Sequence, residues 1–238
     1  MTIQEQQESD VILQPMDAAV HQMDAADLLV AYLEQIGVEY IFGVPGGAIE
    51  PLYNAMARSA RRGGLRPIVA RHETGAAFMA DGYARETGKL GVCCATSGPG
   101  ATNLITGVAC AFENEIPMLV ITGQPSLHLM GRGALQESSA TGIDTMAMFN
   151  CCTHYNAMIS HLEQMERQVI SAILVAHHPI PGPVHLSLPV DVQRSILKSA
   201  PTYNLAHLLR SASAVDDTAV RELQGILAQA KVIAYKTD

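Results

Sequence analysis

Glu73 lies in the run Arg71-His72-Glu73-Thr74-Gly75-Ala76-Ala77, where an extended segment gives way to a helical pattern. A carboxylate at such a junction sits near the positive end of a helix dipole. Two roles are open to it there. It can be an ordinary first-turn acid, or a half-buried carboxylate with a raised pKa that shares a proton with a ligand nitrogen. Position alone does not choose between them. The run Thr96-Ser97-Gly98-Pro99-Gly100-Ala101-Thr102-Asn103 reads as a strand end, a tight turn and a helix start. Backbone N–H groups at a helix start attract anions, but this run lacks the lysine of a Walker loop and the GxGxxG order of a dinucleotide site. Pro99 also removes one donor that a phosphate cradle would use.

Pro45-Gly46-Gly47 permits close approach of another backbone or of a flat ligand, because no Cβ stands in the way at the glycines. A tight turn between strand and helix would look the same. Gln124 and Gln136 are polar residues that the pattern places in loops. No histidine pair has metal spacing on one helix, and no Gly-x-Ser-x-Gly elbow supports a serine hydrolase. His72 reads as structural, and His177-His178 sit at a helix end where the dipole favours them. The five cysteines include the adjacent pairs Cys93-Cys94 and Cys151-Cys152 but no CxxC spacing. Neighbours on a strand point to opposite faces, so these read as reduced, mostly buried thiols rather than a disulfide framework or a zinc site.

Positioning these residues requires a framework, and the chain supplies an alternating one. Ala25–Gln35 has helical spacing, with Asp24 as N-cap and Gly37 as the stop. Strands are expected over Glu39–Phe42, Arg66–Ala70, Leu90–Thr96, Pro117–Thr122, Thr153–Ile159 and Val184–Leu188. Helices are expected over Ile49–Ala60, His72–Glu86, Ala101–Asn114 and Leu162–His177. Such alternation predicts an α/β fold, a doubly wound parallel sheet with helices on both faces. Right-handed crossovers then collect Pro45–Gly47, Ser97–Gly100 and Gly123-Gln124 along one edge, where such sheets bind ligands.

The polar, acidic segment 1–23 reads as a flexible N-terminal tail without a signal or transit pattern. Segment 24–194 is the expected domain. Segment 195–214, with Pro201, reads as a linker. Segment 215–238 reads as a helix to Ala230 and a strand over Lys231–Tyr235, expected as the start of a truncated central domain. In this 238-residue chain 48% of residues are hydrophobic, 16% are charged and the formal net charge is −8. That balance suits a soluble metabolic protein and offers no basic patch for nucleic acid or an anionic membrane. No run of eighteen apolar residues occurs, so no membrane span is expected. Cytoplasmic residence is the corresponding expectation.

Taken in order, Gly43-Val44-Pro45-Gly46-Gly47-Ala48, Arg71-His72-Glu73, Gly82-Tyr83-Ala84-Arg85, Thr96 to Asn103, Ile121-Thr122-Gly123-Gln124, Gln136-Glu137 and Gly182-Pro183-Val184 form a specific set. The set resembles the N-terminal, pyrimidine-binding domain of thiamine-diphosphate enzymes of the acetolactate synthase type, over roughly Asp24 to Arg194. The resemblance implies a carboligase or decarboxylase acting on 2-oxo acids, as in converting pyruvate to acetolactate. It implies that Glu73 hydrogen-bonds N1′ of the aminopyrimidine, favouring the tautomer whose 4′-nitrogen takes the thiazolium C2 proton. It implies that Pro45, Gly46 and Gly47 lie close to the cofactor, that Gln136 faces the reaction centre, and that Thr96, Pro99, Gly100 and Asn103 surround the pyrimidine end.

The resemblance also implies a site shared between subunits of a homodimer or homotetramer, with an apolar dimer face. Family members hold Mg2+ and the diphosphate through a Gly-Asp-Gly…Asn segment that this chain lacks, so no metal ligand is assigned. By itself the chain is expected to carry half a site and to be inactive. FAD enters as a further cofactor of this group. Two positions depart from the pattern: Leu135 stands where a Phe is usual, and Thr153-His154-Tyr155 replaces Thr-Lys-His. A non-catalytic module of the same fold, used for assembly or regulation, is the rival reading.

Overall fold

The computed structural model describes residues 23–138, 142–197, 201–210 and 217–229. Six strands form one sheet: β1 (Tyr40–Gly43), β2 (Arg66–Val69), β3 (Gly91–Ala95), β4 (Met118–Gln124), β5 (Tyr155–Met158) and β6 (Pro183–Pro189). Their order is β2-β1-β3-β4-β6-β5, and every neighbouring pair is parallel. The fold is therefore the doubly wound α/β sheet that the alternation predicts. All residues of β3, β4 and β6 are buried, as strands covered on both faces must be.

One core lies between the sheet and α1 (Ala25–Gln35), α2 (Glu50–Arg61) and α6 (Leu162–Ala176). A second lies on the opposite face, with α3 (Glu73–Thr87), α4 (Pro99–Glu113) and α5 (Thr145–Phe149). Val92 and Cys94 join the first core while Cys93 and Ala95 join the second, the two-residue alternation of a pleated strand. Burial raises the pKa of both thiols, that of Cys94 to about 12, and all five cysteines are free. Cys151 is exposed and Cys110 half-buried.

Local signals set the ends of the long helices. Asp24 and Asp27 form a capping box at the start of α1. His72 caps α3 by accepting from Thr74 N at 3.2 Å, which gives it a structural role. His177 Nδ1 lies 2.8 Å from Ile173 O in the last turn of α6. Three short helices appear where no element was expected: α5 and α7 (Val190–Gln193) in unassigned stretches of the domain, and α8 (Leu205–Arg210) in the stretch read as a linker. Each is too brief to show a 3.6-residue period. Gln124 ends β4 instead of lying in a loop.

Within the stretch read as a linker, Leu205 is fully buried against the first core. Thr202 N donates to Glu166 Oε1 at 2.6 Å, Tyr203 N to Tyr32 Oη at 3.2 Å, and Leu205 N to Gln35 Oε1 at 3.1 Å. The helix expected from residue 215 is α9 (Asp217–Gln229), with Val220, Leu223, Ile226 and Leu227 exposed. The N-terminal tail (1–22) and the strand expected over Lys231–Tyr235 lie outside the described residues. Among the described residues no helix is long and apolar enough to cross a membrane.

Candidate functional site

The chain leaves β1 in one direction to reach β2 and returns on the other side as β3. The loops after β1 and β3 therefore flank the switch point of the sheet, where a crevice opens at the strand C-termini. The first of these loops is Val44–Gly46, leading into a single 3-10 turn at Gly47–Ile49. Its partners fix it tightly. A Cβ built on Gly46 would lie 2.6 Å from Thr96 Cβ, and one on Gly100 would lie 2.8 Å from Thr96 Cγ2. Thr96 is thus wedged between two glycines, and its Oγ1 accepts from Ala48 N at 3.3 Å. Ala48 O in turn accepts from Gln193 Nε2 at 2.8 Å.

This refines the expectation for Pro45-Gly46-Gly47. At Gly46 the Thr96 side chain is a close neighbour. At Gly47 a Cβ would meet nothing within 4 Å, so that glycine borders open space. Clefts of about 350 Å³ and 330 Å³ adjoin it. The first is lined by Pro45, Gly46, Gly47, Glu50 and Tyr53, the second by residues including Thr96, Leu129, Leu135 and Gln136.

Glu73 opens α3, half-buried, and Asn103 projects from the second turn of α4. Asn103 Nδ2 donates to Glu73 Oε2 at 3.0 Å. Oε1 faces Gly100, 3.5 Å from where a Cβ on that glycine would stand. The carboxylate is therefore held by a neutral amide beside the glycine-rich edge. The register that makes this meeting possible is set one turn further along. A Cβ on Gly107 would lie 2.5 Å from Ala77 Cβ, so the two helices touch there, each four residues beyond the polar pair. Burial and the neighbouring Cys94 and Glu73 raise the pKa of Tyr53, and Cys94 Sγ donates to its hydroxyl at 3.8 Å.

Gln136 lies on the other side of the crevice, exposed, in a left-handed conformation with φ 57°. For a non-glycine residue that conformation costs about 1–2 kcal/mol and persists only where the surroundings over-determine it. Its Cβ approaches Gly98, the N-cap of α4, to 2.9 Å from a Cβ built there. Pro99 occupies the first position of α4, where a missing N–H costs least. The structure thus links Gly46, Thr96 and Gly100 by contact, sets Glu73 with Asn103 beside Gly100, and packs Gln136 on Gly98 next to Pro99. Pro45, Gly46, Gly47, Thr96 and Gln136 line the two clefts, which share Gly47. Sequence reasoning did not single out Gln193, Ser138, Tyr53 or Gly107. Their roles are contacts across 40 or more residues, or a close helix approach, and neither leaves a local signal.

An α/β sheet with a half-buried carboxylate and a glycine-lined cleft near its switch point is an arrangement in which such sheets bind ligands. Residues 23–148, more than half the chain, match the family model for the thiamine pyrophosphate enzyme, N-terminal TPP binding domain. The chain belongs to that family. It is 45% identical over 171 residues to the acetolactate synthase isozyme 2 large subunit of Escherichia coli, covering 72% of this chain and 30% of that protein. It is 40% identical over 209 residues to the acetolactate synthase large subunit of Lactococcus lactis, covering 87% and 34%. Against the chloroplastic acetolactate synthase of Arabidopsis thaliana it is 39% identical over 171 residues, covering 72% and 24%. The chain spans about a third of the length of the first two relatives and less of the third.

Proposed function

We propose that this chain supplies the pyrimidine end of a thiamine diphosphate site in an acetolactate synthase-like enzyme acting on 2-oxo acids such as pyruvate. The observation that carries the reading is the Glu73–Asn103 pair, 3.0 Å apart at the switch point. Oε2 is occupied by the amide, which leaves Oε1 to hold a proton against a ring nitrogen. The residues fit a flat heterocycle. Gly47 borders open space, and Pro45, Gly46 and Tyr53 wall the same cleft. When bound, the cofactor supplies the carbon nucleophile and the electron sink for decarboxylation and carbon–carbon bond formation. Glu73 shares a proton at N1′, Thr96 and Gln193 hold the loop that walls the ring, and Gln136 faces the reacting carbon.

The same reading assigns Mg2+ and the diphosphate to other residues of the assembled enzyme, so this chain alone turns over no substrate. It takes the assembly to be a homodimer or homotetramer in the cytoplasm. Val69, Phe78 and Met79, at 63%, 43% and 45% exposure on β2 and α3, are apolar residues that a neighbouring subunit would cover in that reading. FAD is a further cofactor of the reading, with no residue of this chain assigned to it. The test is pyruvate-dependent carbon dioxide release by the complete gene product with thiamine diphosphate and Mg2+. Glu73→Gln should abolish most of it without loss of folding. Unchanged turnover in that variant overturns the reading and favours an assembly module.

A further inference from the structure

Gln124 closes β4, 1% exposed, and its side chain turns toward the loop that carries Gln136. Its Nε2 donates to Ser138 O at 2.8 Å, and its Oε1 accepts from Ser138 N at 3.4 Å. A side-chain amide here pairs with both polar atoms of one residue's main chain, as a neighbouring strand would. Ser138 is itself buried, and its Oγ accepts from Gly98 N at 2.7 Å. Gly98 has φ 62° and no side chain to cap α4, so the Ser138 hydroxyl meets a backbone donor at that helix start. Two residues before Ser138, Gln136 packs its Cβ onto Gly98 and accepts from Ser138 Oγ at 3.4 Å through its carbonyl.

We propose that Gln124 and Ser138 are positioning residues, which together pin the Gln136 backbone against the first turn of α4. That helix also holds Glu73 through Asn103. One helix start is then the common reference for two residues 63 positions apart in the chain. The clamp explains why a non-glycine residue stays at positive φ in an exposed loop. Three hydrogen bonds and the Gly98 contact fix the segment after it, so relaxing Gln136 would break them. The clamp uses neither Gln136's own side-chain amide nor Glu73, which leaves both available to the site. The proposal rests on the reading of Gln136 given above, but its geometry can be tested without turnover.

The first measurement is hydrogen exchange on the protein without cofactor. Gln124→Met keeps the side chain's length and removes both hydrogen bonds, while Ser138→Ala removes the hydroxyl. Both should raise exchange over residues 126–138, and Ser138→Ala should also deprotect the Gly98 amide. Ser138→Thr should restore protection, and the start of α3 should be unaffected. Unchanged exchange over 126–138 in Gln124→Met overturns the clamp. The second measurement is turnover by the complete gene product. Gln124→Met should lower it about 10- to 100-fold, and by no further factor in a Gln136→Ala background. Penalties that multiply in the double variant overturn the assignment of Gln124 to Gln136. A silent Glu73→Gln variant would instead remove the functional reading and leave the exchange result standing.

Discussion

Glu73 and Gln136 are tied to the start of the same helix, α4, by different means. The carboxylate occupies the first turn of a 15-residue helix, packed on a second helix through Ala77 and Gly107. The amide sits in an exposed loop in a left-handed conformation, secured by Gln124 and Ser138. The first is held by helix packing that also contributes to the core. The second is held by polar contacts that oppose a local conformational preference. The first construction gives a rigid side chain and the second an accessible one.

Four measurements would break or sharpen that contrast. The largest effect belongs to Glu73→Gln in the complete gene product. Turnover should fall about 10²- to 10⁴-fold, equivalent to about 3–5 kcal/mol of barrier, with unfolding temperature unchanged. Next is Gly107→Val, which forces side-chain atoms into the Ala77 contact. It should destabilise the fold by about 1–3 kcal/mol, seen in denaturant unfolding. It should also lower activity by separating Asn103 from Glu73, although it touches no ligand. A small activity loss would mean that the carboxylate does not depend on helix spacing.

The third concerns acid and α5, which packs on the same face of the sheet as α3. His185 is fully buried in β6 and stacks on Phe149 of α5 at 4.0 Å. Its Nε2 lies 2.8 Å from Thr122 Oγ1 and its Nδ1 lies 2.7 Å from Asn156 Oδ1. Asn156 Nδ2 donates to Asn150 Oδ1 and Met146 O, so its Oδ1 is left to accept. The proton therefore sits on Nδ1, and Nε2 accepts from the Thr122 hydroxyl. Burial pushes the pKa down to about 3 from 6.5. Between these values the unfolded chain binds the proton and the folded one refuses it. The native state's advantage is complete above pH 6.5 and declines as pH falls toward 3, by about 1.4 kcal/mol per pH unit. Hydrogen exchange at falling pH, corrected for intrinsic rates, should show α5 loosening before the start of α3. His185→Gln should flatten that dependence.

The smallest effect is a gain. Gln136→Gly removes the left-handed penalty and should stabilise the fold by up to about 1 kcal/mol while turnover falls. Destabilisation would mean that the Gln136 side chain contributes packing that the exposed position does not suggest.

Much of this was legible in the chain. Apolar runs fully buried as β3 and β4, and helical spacing in α1 and α6, are local patterns that burial on one or two faces imposes. Asp24 and Gly37 mark the ends of α1 because capping is a matter of a few consecutive residues. Glu73 could be located at a strand-to-helix junction, and the ordered motifs pointed to the family to which the chain belongs. The short helices α5, α7 and α8 left no such trace. Leu205, in a stretch that reads as a linker, is buried because Gln35 and Glu166 hold the backbone around it.

The sequence by itself determined the sheet-and-helix alternation, the edge where the loops gather and the place of Glu73 at a strand-to-helix junction. Each depends on residues close together in the chain. Only the tertiary structure decided that Gly46 makes room for Thr96, that Asn103 occupies one oxygen of Glu73, and that Gln124 serves a residue in another segment. Steric fit and hydrogen-bond partnership between distant segments are properties of relative placement, and one-dimensional spacing does not encode them.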